Sequence, residues 1–267
     1  MSKGEHGAAS LHPPGKTNQT MAADHLTSSP RPRARAEIHE RVKELIAALG
    51  PAAGRKALDA PLGPGAMALH LHQIGYEVLG IDLDLEQSRD LPPAILRRTC
   101  NLNQPLPLAD KVFDLVTSLE GIEHVENQFH LLRELGRVLK PGGHLILSTP
   151  NICNLEERLN FLVRGSFYRF ISRAEIESYG SGFDHQNLIS YVELRQVLDW
   201  AGFQVVRVEK DRAKIKQVLF LWPLYLLVRA YVLLQSEKRK QKYLLPETSS
   251  ANVLLGGNTI IFVARKA

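Results

Sequence analysis

The chain has 267 residues, of which 44% are hydrophobic and 23% charged, and a formal net charge of +5. That length suits one large domain or two small ones with a buried core, and the charge permits an anionic partner without demanding nucleic acid. The only cysteines, Cys100 and Cys153, show no zinc spacing, which argues against structural disulfides and for a reduced, cytoplasmic compartment.

Residues 1–36 are rich in Pro, Ser and Gly and end in the basic "RPRARA". A segment so poor in large hydrophobes cannot offset its chain entropy by burial, so a disordered basic tail is expected, without the apolar core of a signal peptide. "AEIHERVKELIAAL" then has apolar residues at helical spacing and stops at Gly50-Pro51. Short apolar runs follow at 56–60, 77–83, 95–102, 112–119 and 143–150, with helical stretches between them. Such alternation predicts an α/β fold, a mostly parallel sheet with helices on both faces, whose ligands bind at the carboxyl ends of the strands.

The residues after those runs fit that rule. Asp59 ends the first run, and Gly63 and Gly65 open the next helix in "LDAPLGPG". Glycine permits positive φ and close backbone approach, and a helix N-terminus offers free N–H groups. The second run ends in "GIDLD", with Asp82 seventeen residues after Gly65, where a carboxylate can accept hydrogen bonds from both hydroxyls of a ribose. "VFDLVTSLEGIEHVEN" and "RVLKPGGHLILSTPN" follow in order.

With these motifs the chain resembles the class I S-adenosylmethionine-dependent methyltransferases, from about Lys56 to Asn151, and more loosely over most of residues 37–267 through "DHQNLISYVELRQVLDWAGFQVVRVEK" and "NTIIFVARK". The resemblance implies a Rossmann-like sheet of seven strands with an antiparallel last strand. It also implies S-adenosylmethionine as cofactor, held by Asp59, Gly63, Gly65, Asp82, Asn101, Leu102 and Leu119. Two departures stand out: Pro61 replaces a common glycine, and Asn101 stands where family members often carry an adenine-binding Asp. Asn101 could still accept a hydrogen bond through its carbonyl, but without charge.

"LEGIEHVEN" carries Glu120, Glu123 and His124, and "GFDHQN" later presents Asp184 and His185. Two carboxylates and two imidazoles could hold one divalent ion. The pattern is similar to small-RNA 2′-O-methyltransferases and ubiquinone-pathway O-methyltransferases, which by resemblance makes Glu120, Glu123, His124 and His185 metal ligands. The alternatives are a metal-free site, in which His185 or His124 acts as general base beside Glu123, and a purely structural role.

Residues 151–190 form an expected acceptor-site insert, with Arg164, Arg169 and Arg173 as anion-binding candidates. Residues 211–257 form an apolar helical insert before the last strand. From Val218 to Leu234 every residue is apolar except Pro223 and Arg229. A membrane span is disfavoured by Arg229 and by the return of the chain to the sheet. The segment then either covers the pocket or a homodimer surface, or lies in the membrane interface with "EKRKQK" on anionic lipid, giving a peripheral protein of the inner face.

The expected activity is O-methylation of an amphiphilic small molecule, lipid-linked or glycan acceptor. RNA 2′-O-methylation is the alternative, although no RNA-binding module or aromatic–basic platform is recognisable, and a non-catalytic, membrane-associated scaffold is the reading from another class.

Overall fold

The computed structural model describes residues 36–167 and 187–267. The basic tail expected over 1–36, apart from Ala36, therefore lies outside the described residues, as do Arg169, Arg173, Asp184 and His185. In chain order the elements are α1 (Ala36–Ala47), β1 (Lys56–Asp59), α2 (Ala66–Gln73), β2 (Glu77–Asp82), β3 (Leu96–Thr99), β4 (Phe113–Leu119), α3 (Gln128–Val138) and β5 (Leu139–Pro150). There follow α4 (Leu155–Arg164), α5 (Tyr191–Trp200), β6 (Phe203–Lys210), α6 (Ile215–Leu233), α7 (Glu237–Lys242), α8 (Leu245–Thr248), α9 (Ala251–Leu254) and β7 (Thr259–Lys266).

The seven strands form one sheet in the order β3-β2-β1-β4-β5-β7-β6. The pairings from β3 through β5 are all parallel, and β7 runs antiparallel to both β5 and β6. Alternation along the central strands divides the core in two. Ala57, Leu115, Ile146 and Ile261 face Val42, Leu45, Met67 and Leu71 of α1 and α2. Their sequence neighbours Leu58, Val116, Leu147 and Phe262 face Leu132, Leu135, Leu194 and Leu198 of α3 and α5. Successive side chains of a strand point to opposite faces, and a sheet covered on both faces needs apolar residues at both.

Two boundaries differ from the sequence expectation. β3 is four residues long, because the chain turns away after Cys100 donates its N–H to the Asp82 carbonyl (2.8 Å). β5 starts at Leu139, not 143, since Leu139 already pairs with Phe113 and "KPGG" continues the strand through a register shift. Helix ends are set locally: Asn127 caps α3, Asn154 caps α4, and Ser190 with Glu193 forms a reciprocal capping box on α5. Strand order reverses between β1 and β4, which opens a crevice at their carboxyl ends.

Candidate cofactor cleft and acceptor site

At that crevice the loop Ala60–Gly65 leaves β1. Gly63 adopts φ +51°, and nothing lies within 4 Å of where a Cβ would stand, so its backbone faces open space. Its N–H donates to the Asp82 carboxylate at 2.8 Å, and the other Asp82 oxygen accepts the Asp84 N–H at 3.3 Å. Gly65 has φ +83°, and a Cβ there would stand 2.3 Å from Leu91, so this position admits no side chain.

Pro61 has a structural counterpart. A Cβ on Gly121 would lie 2.3 Å from the Pro61 ring, so the bulk lost from one loop is supplied by the other. The missing family glycine at 61 is thus matched by a glycine across the crevice. A bare Gly63, a side-chain-free Gly65 and a carboxylate at the end of β2 are what the amino-acid end and ribose of S-adenosylmethionine require, and the residues fit that cofactor.

Asp59 is buried, and its carboxylate accepts the Thr117 hydroxyl at 2.7 Å. Burial pushes its pKa from 3.8 up to about 7, partly opposed by that hydroxyl and by the Ala68 N–H, while the charge of Asp82 adds to the rise. Asn101 is exposed, and its side-chain carbonyl, the group expected for the adenine amino group, accepts the Asn103 N–H at 3.0 Å. Leu102 is buried and Leu119 half-buried, beside these polar groups in the sequence.

Beyond β4 the chain makes a short turn over Ile122–His124. Glu120 lies just before it at φ +47°, which turns its side chain toward β5 and β7. There it accepts the Ser148 hydroxyl (3.0 Å) and the Thr259 hydroxyl (3.3 Å). Glu123 is fully buried and accepts the Thr149 hydroxyl at 3.4 Å. His124 is exposed.

Asn187 clamps the turn from outside. Its N–H donates to the Glu123 carbonyl (3.0 Å) and its amide to the Val125 carbonyl (2.8 Å). Gln128 spans the same junction, donating to the Ile122 and Asn187 carbonyls. Glu120 and Glu123 thus accept from different hydroxyls. Among the described residues no group of three or more His, Cys, Asp or Glu is arranged to hold an ion, and His185, the fourth expected ligand, lies outside those residues.

A cavity of about 390 Å³ lies past the end of β5, lined mostly by the apolar and aromatic side chains of Ile152, Cys153, Phe161, Phe167, Val192 and Tyr243, with Arg158, Ser190 and Thr248 as its polar lining. Phe161 and Phe167 stack with ring centroids 4.8 Å apart. Arg158 ties the α4 wall to the returning chain by donating to the Cys153 carbonyl (2.8 Å) and the Thr248 carbonyl (3.1 Å). Sequence reading missed Thr117, Ser148, Thr149, Thr259 and Asn187. The signal was a run of Ser and Thr at strand ends, "VTS" and "LSTP", polar residues that are mostly hydrogen-bonded when buried.

A family model described as a methyltransferase domain matches residues 34–208, well over half of the chain. The chain belongs to the family of S-adenosylmethionine-dependent methyltransferases. Among curated relatives, a probable S-adenosylmethionine-dependent methyltransferase of Mycolicibacterium smegmatis is 36% identical over 162 residues, 57% of this chain and 53% of the relative. A ubiquinone biosynthesis O-methyltransferase of Alkalilimnicola ehrlichii is 29% identical over 162 residues, 54% of this chain and 66% of the relative. The matches thus span less than two thirds of these relatives' own length. A solved structure titled a putative methyltransferase from Bacillus halodurans superposes with TM-score 0.56 at 20% identity, covering 85% of this chain and 97% of that one, and it shows the shared fold.

Proposed function

We propose that the chain transfers the methyl group of S-adenosylmethionine to an oxygen of an amphiphilic acceptor, such as a lipid-linked glycan or a prenylated ring. The observation that carries this reading is the cavity beyond β5, whose walls are mostly apolar and aromatic with Arg158, Ser190 and Thr248 as the polar residues. An apolar cavity with few polar groups favours a ligand with a greasy body and one polar end. The relatives named for O-methylation in ubiquinone biosynthesis agree with an oxygen acceptor.

When bound, the cofactor supplies an activated methyl group for in-line displacement. The chain's own residues bind, orient and move a proton. Asp82 and the Gly63 backbone grip the donor's ribose and amino-acid end, and Asp59 sits behind them with Thr117 fixing its carboxyl. The acceptor hydroxyl must lose a proton as its oxygen attacks, and an imidazole is suited to take it near neutral pH. His124, exposed on the turn after β4, is our assignment for that base among the described residues. Asn187 and Gln128 hold the turn that carries it.

The test is to incubate the protein with methyl-labelled S-adenosylmethionine and separate lipid, aqueous small-molecule and RNA fractions of a bacterial extract. Label in the organic phase, alkali-stable as an ether is, supports the reading. Label confined to RNA contradicts it. For the base, His124→Ala is expected to lower kcat by about 10²-fold while cofactor affinity is kept, and unchanged kcat would remove His124 from the role.

A further inference from the structure

The helix α6 is built unlike the other helices among the described residues. It runs nineteen residues, Ile215–Leu233, with Pro223 inside it and only Gln217 and Val232 buried. By length and composition it could cross a membrane, yet just 11% of its most apolar window is buried. At 1.5 Å per residue the helix is about 28 Å long.

Burial along it follows a helical period. Gln217 and Val232 are buried, and Leu221, Leu224, Tyr225 and Val228 are half-buried, which defines one stripe facing the domain. The opposite stripe carries Ile215, Leu219, Trp222, Leu226 and Leu233, all at least half exposed, from 52% at Leu226 to 73% at Ile215. The outer face is therefore a continuous apolar line, where a helix on a protein surface would present charge. Beside it α4, which packs against α6, ends in exposed Phe161, Leu162 and Val163.

The helix lies along the domain and does not leave it. Arg229 donates to the Ser249 hydroxyl at 3.2 Å, Lys214 pairs with Glu156, and Ala213 bridges Gly256 where the chain returns. Both ends stay on the same side as the sheet, which fits a helix lying in an interface and not one passing through it.

Charge decides between a bilayer and another occupant. Residues 210–242 hold nine basic and two acidic side chains, while the other 234 residues hold 24 basic and 26 acidic. Apart from the basic tail, the excess positive charge of the chain thus lies around this helix, most of it at its two ends. Lys216 lies at one end, and Lys238, Arg239 and Lys242 at the other, all exposed. A second copy stacked two-fold on the same face would bring these cations against each other. Anionic headgroups meet them favourably, each basic side chain near such a surface adding to the attraction.

We propose that the outer face of α6 docks on an anionic lipid bilayer, its apolar stripe in the headgroup–acyl boundary and its basic ends on the headgroups. The proposal does not depend on which acceptor is methylated or on whether the cofactor binds. It gives a bilayer-resident acceptor a direct route to the cavity, since Tyr243 and Thr248, just after the basic end of α6, line it.

The test uses the full chain with vesicles of phosphatidylcholine alone and of phosphatidylcholine containing phosphatidylglycerol. The protein is expected to float with the anionic vesicles and to be released as salt rises and the Debye length shrinks from about 10 Å at 0.1 M to 3 Å at 1 M. The double substitution Leu219→Glu and Leu226→Glu is expected to weaken vesicle binding by at least ~10-fold with an unchanged melting curve. Should that variant misfold, the exposed pair Lys238→Glu and Lys242→Glu tests the charge arm alone, and the same direction of loss is expected.

The chain has two tryptophans, so Trp200→Phe leaves Trp222 as the reporter. Its emission is expected to shift blue on vesicles and to be quenched by brominated acyl chains. Protein that stays unbound at low salt overturns the proposal, as does a Trp222 blind to lipid. A solution dimer broken by Leu226→Glu without any vesicle affinity would also overturn it, and would assign the face to a second copy.

Discussion

Residues 56–150 and residues 211–258 treat their side chains in opposite ways. In the first region the polar groups at the carboxyl edge of the sheet are held by one another: Asp59 by Thr117, Glu120 by Ser148, Asp82 by the Gly63 backbone. Shape is matched across the crevice too, as with the Pro61 ring over the bare Gly121. In the second region α6 covers the domain with one stripe and leaves an apolar stripe outside. The difference separates two jobs. The first region is a seat whose geometry its own contacts decide, and the second presents an apolar face that the described residues leave open.

Substitutions should therefore fall into two classes. Ile122, fully buried under the turn after β4, belongs to the first. Ile122→Ala is expected to cost about 2–5 kcal/mol in chemical denaturation, and a cost under 1 kcal/mol would mean that the turn is not anchored by the core. Gly121→Ala forces a methyl into the Pro61 ring and is expected to cost about 1–3 kcal/mol while weakening cofactor binding. Full affinity in this variant would show that the Pro61–Gly121 contact is incidental.

Asp59 supplies a pH dependence with a defined sign. Its folded pKa, about 7, lies above the ordinary 3.8, so the protonated carboxyl is favoured by folding. That contribution is fully present below about pH 3.8 and is lost as pH rises through about 7. Across this window the wild-type protein is expected to lose stability with rising pH relative to Asp59→Asn. Parallel stability–pH curves for the two proteins would contradict the burial argument. Thr117→Val removes a hydrogen bond that lowers this pKa and should carry the window to higher pH.

The smallest effect on folding belongs to the outer face of α6. Leu226→Glu is expected to change stability by no more than about 0.5 kcal/mol in the absence of lipid, since the side chain is already 52% exposed. A large loss would show that the face is covered within the molecule and would erase the contrast between the two regions.

What could be read from the sequence follows from how local each feature is. Asp59, Gly63, Gly65 and Asp82 were legible because a strand, a turn and a helix in immediate succession fix their relative places. The strand periods were legible from alternation and spacing, and the antiparallel last strand from the family resemblance. Partners drawn from distant strands were not: Thr259 reaches Glu120 only because β7 inserts beside β5, which the linear order does not state. The hydroxyl partners of Glu120 and Glu123 were not legible for a similar reason. Spacing placed the two carboxylates near one another, but did not show that Glu120 would accept from Ser148 and Thr259 and Glu123 from Thr149. For α6 the composition showed an apolar helix, while the division into a covered and an open stripe depends on what packs beneath it.

The account rests on the seat formed by Asp82 and the Gly63 turn, and titration calorimetry with S-adenosylmethionine tests it most directly. The wild-type protein is expected to bind with one site per chain, and Asp82→Ala at least ~10-fold more weakly, about 1.4 kcal/mol, at comparable melting temperature. Equal affinity in the two proteins, or a folded wild-type protein that binds neither the donor nor its demethylated product, would contradict it.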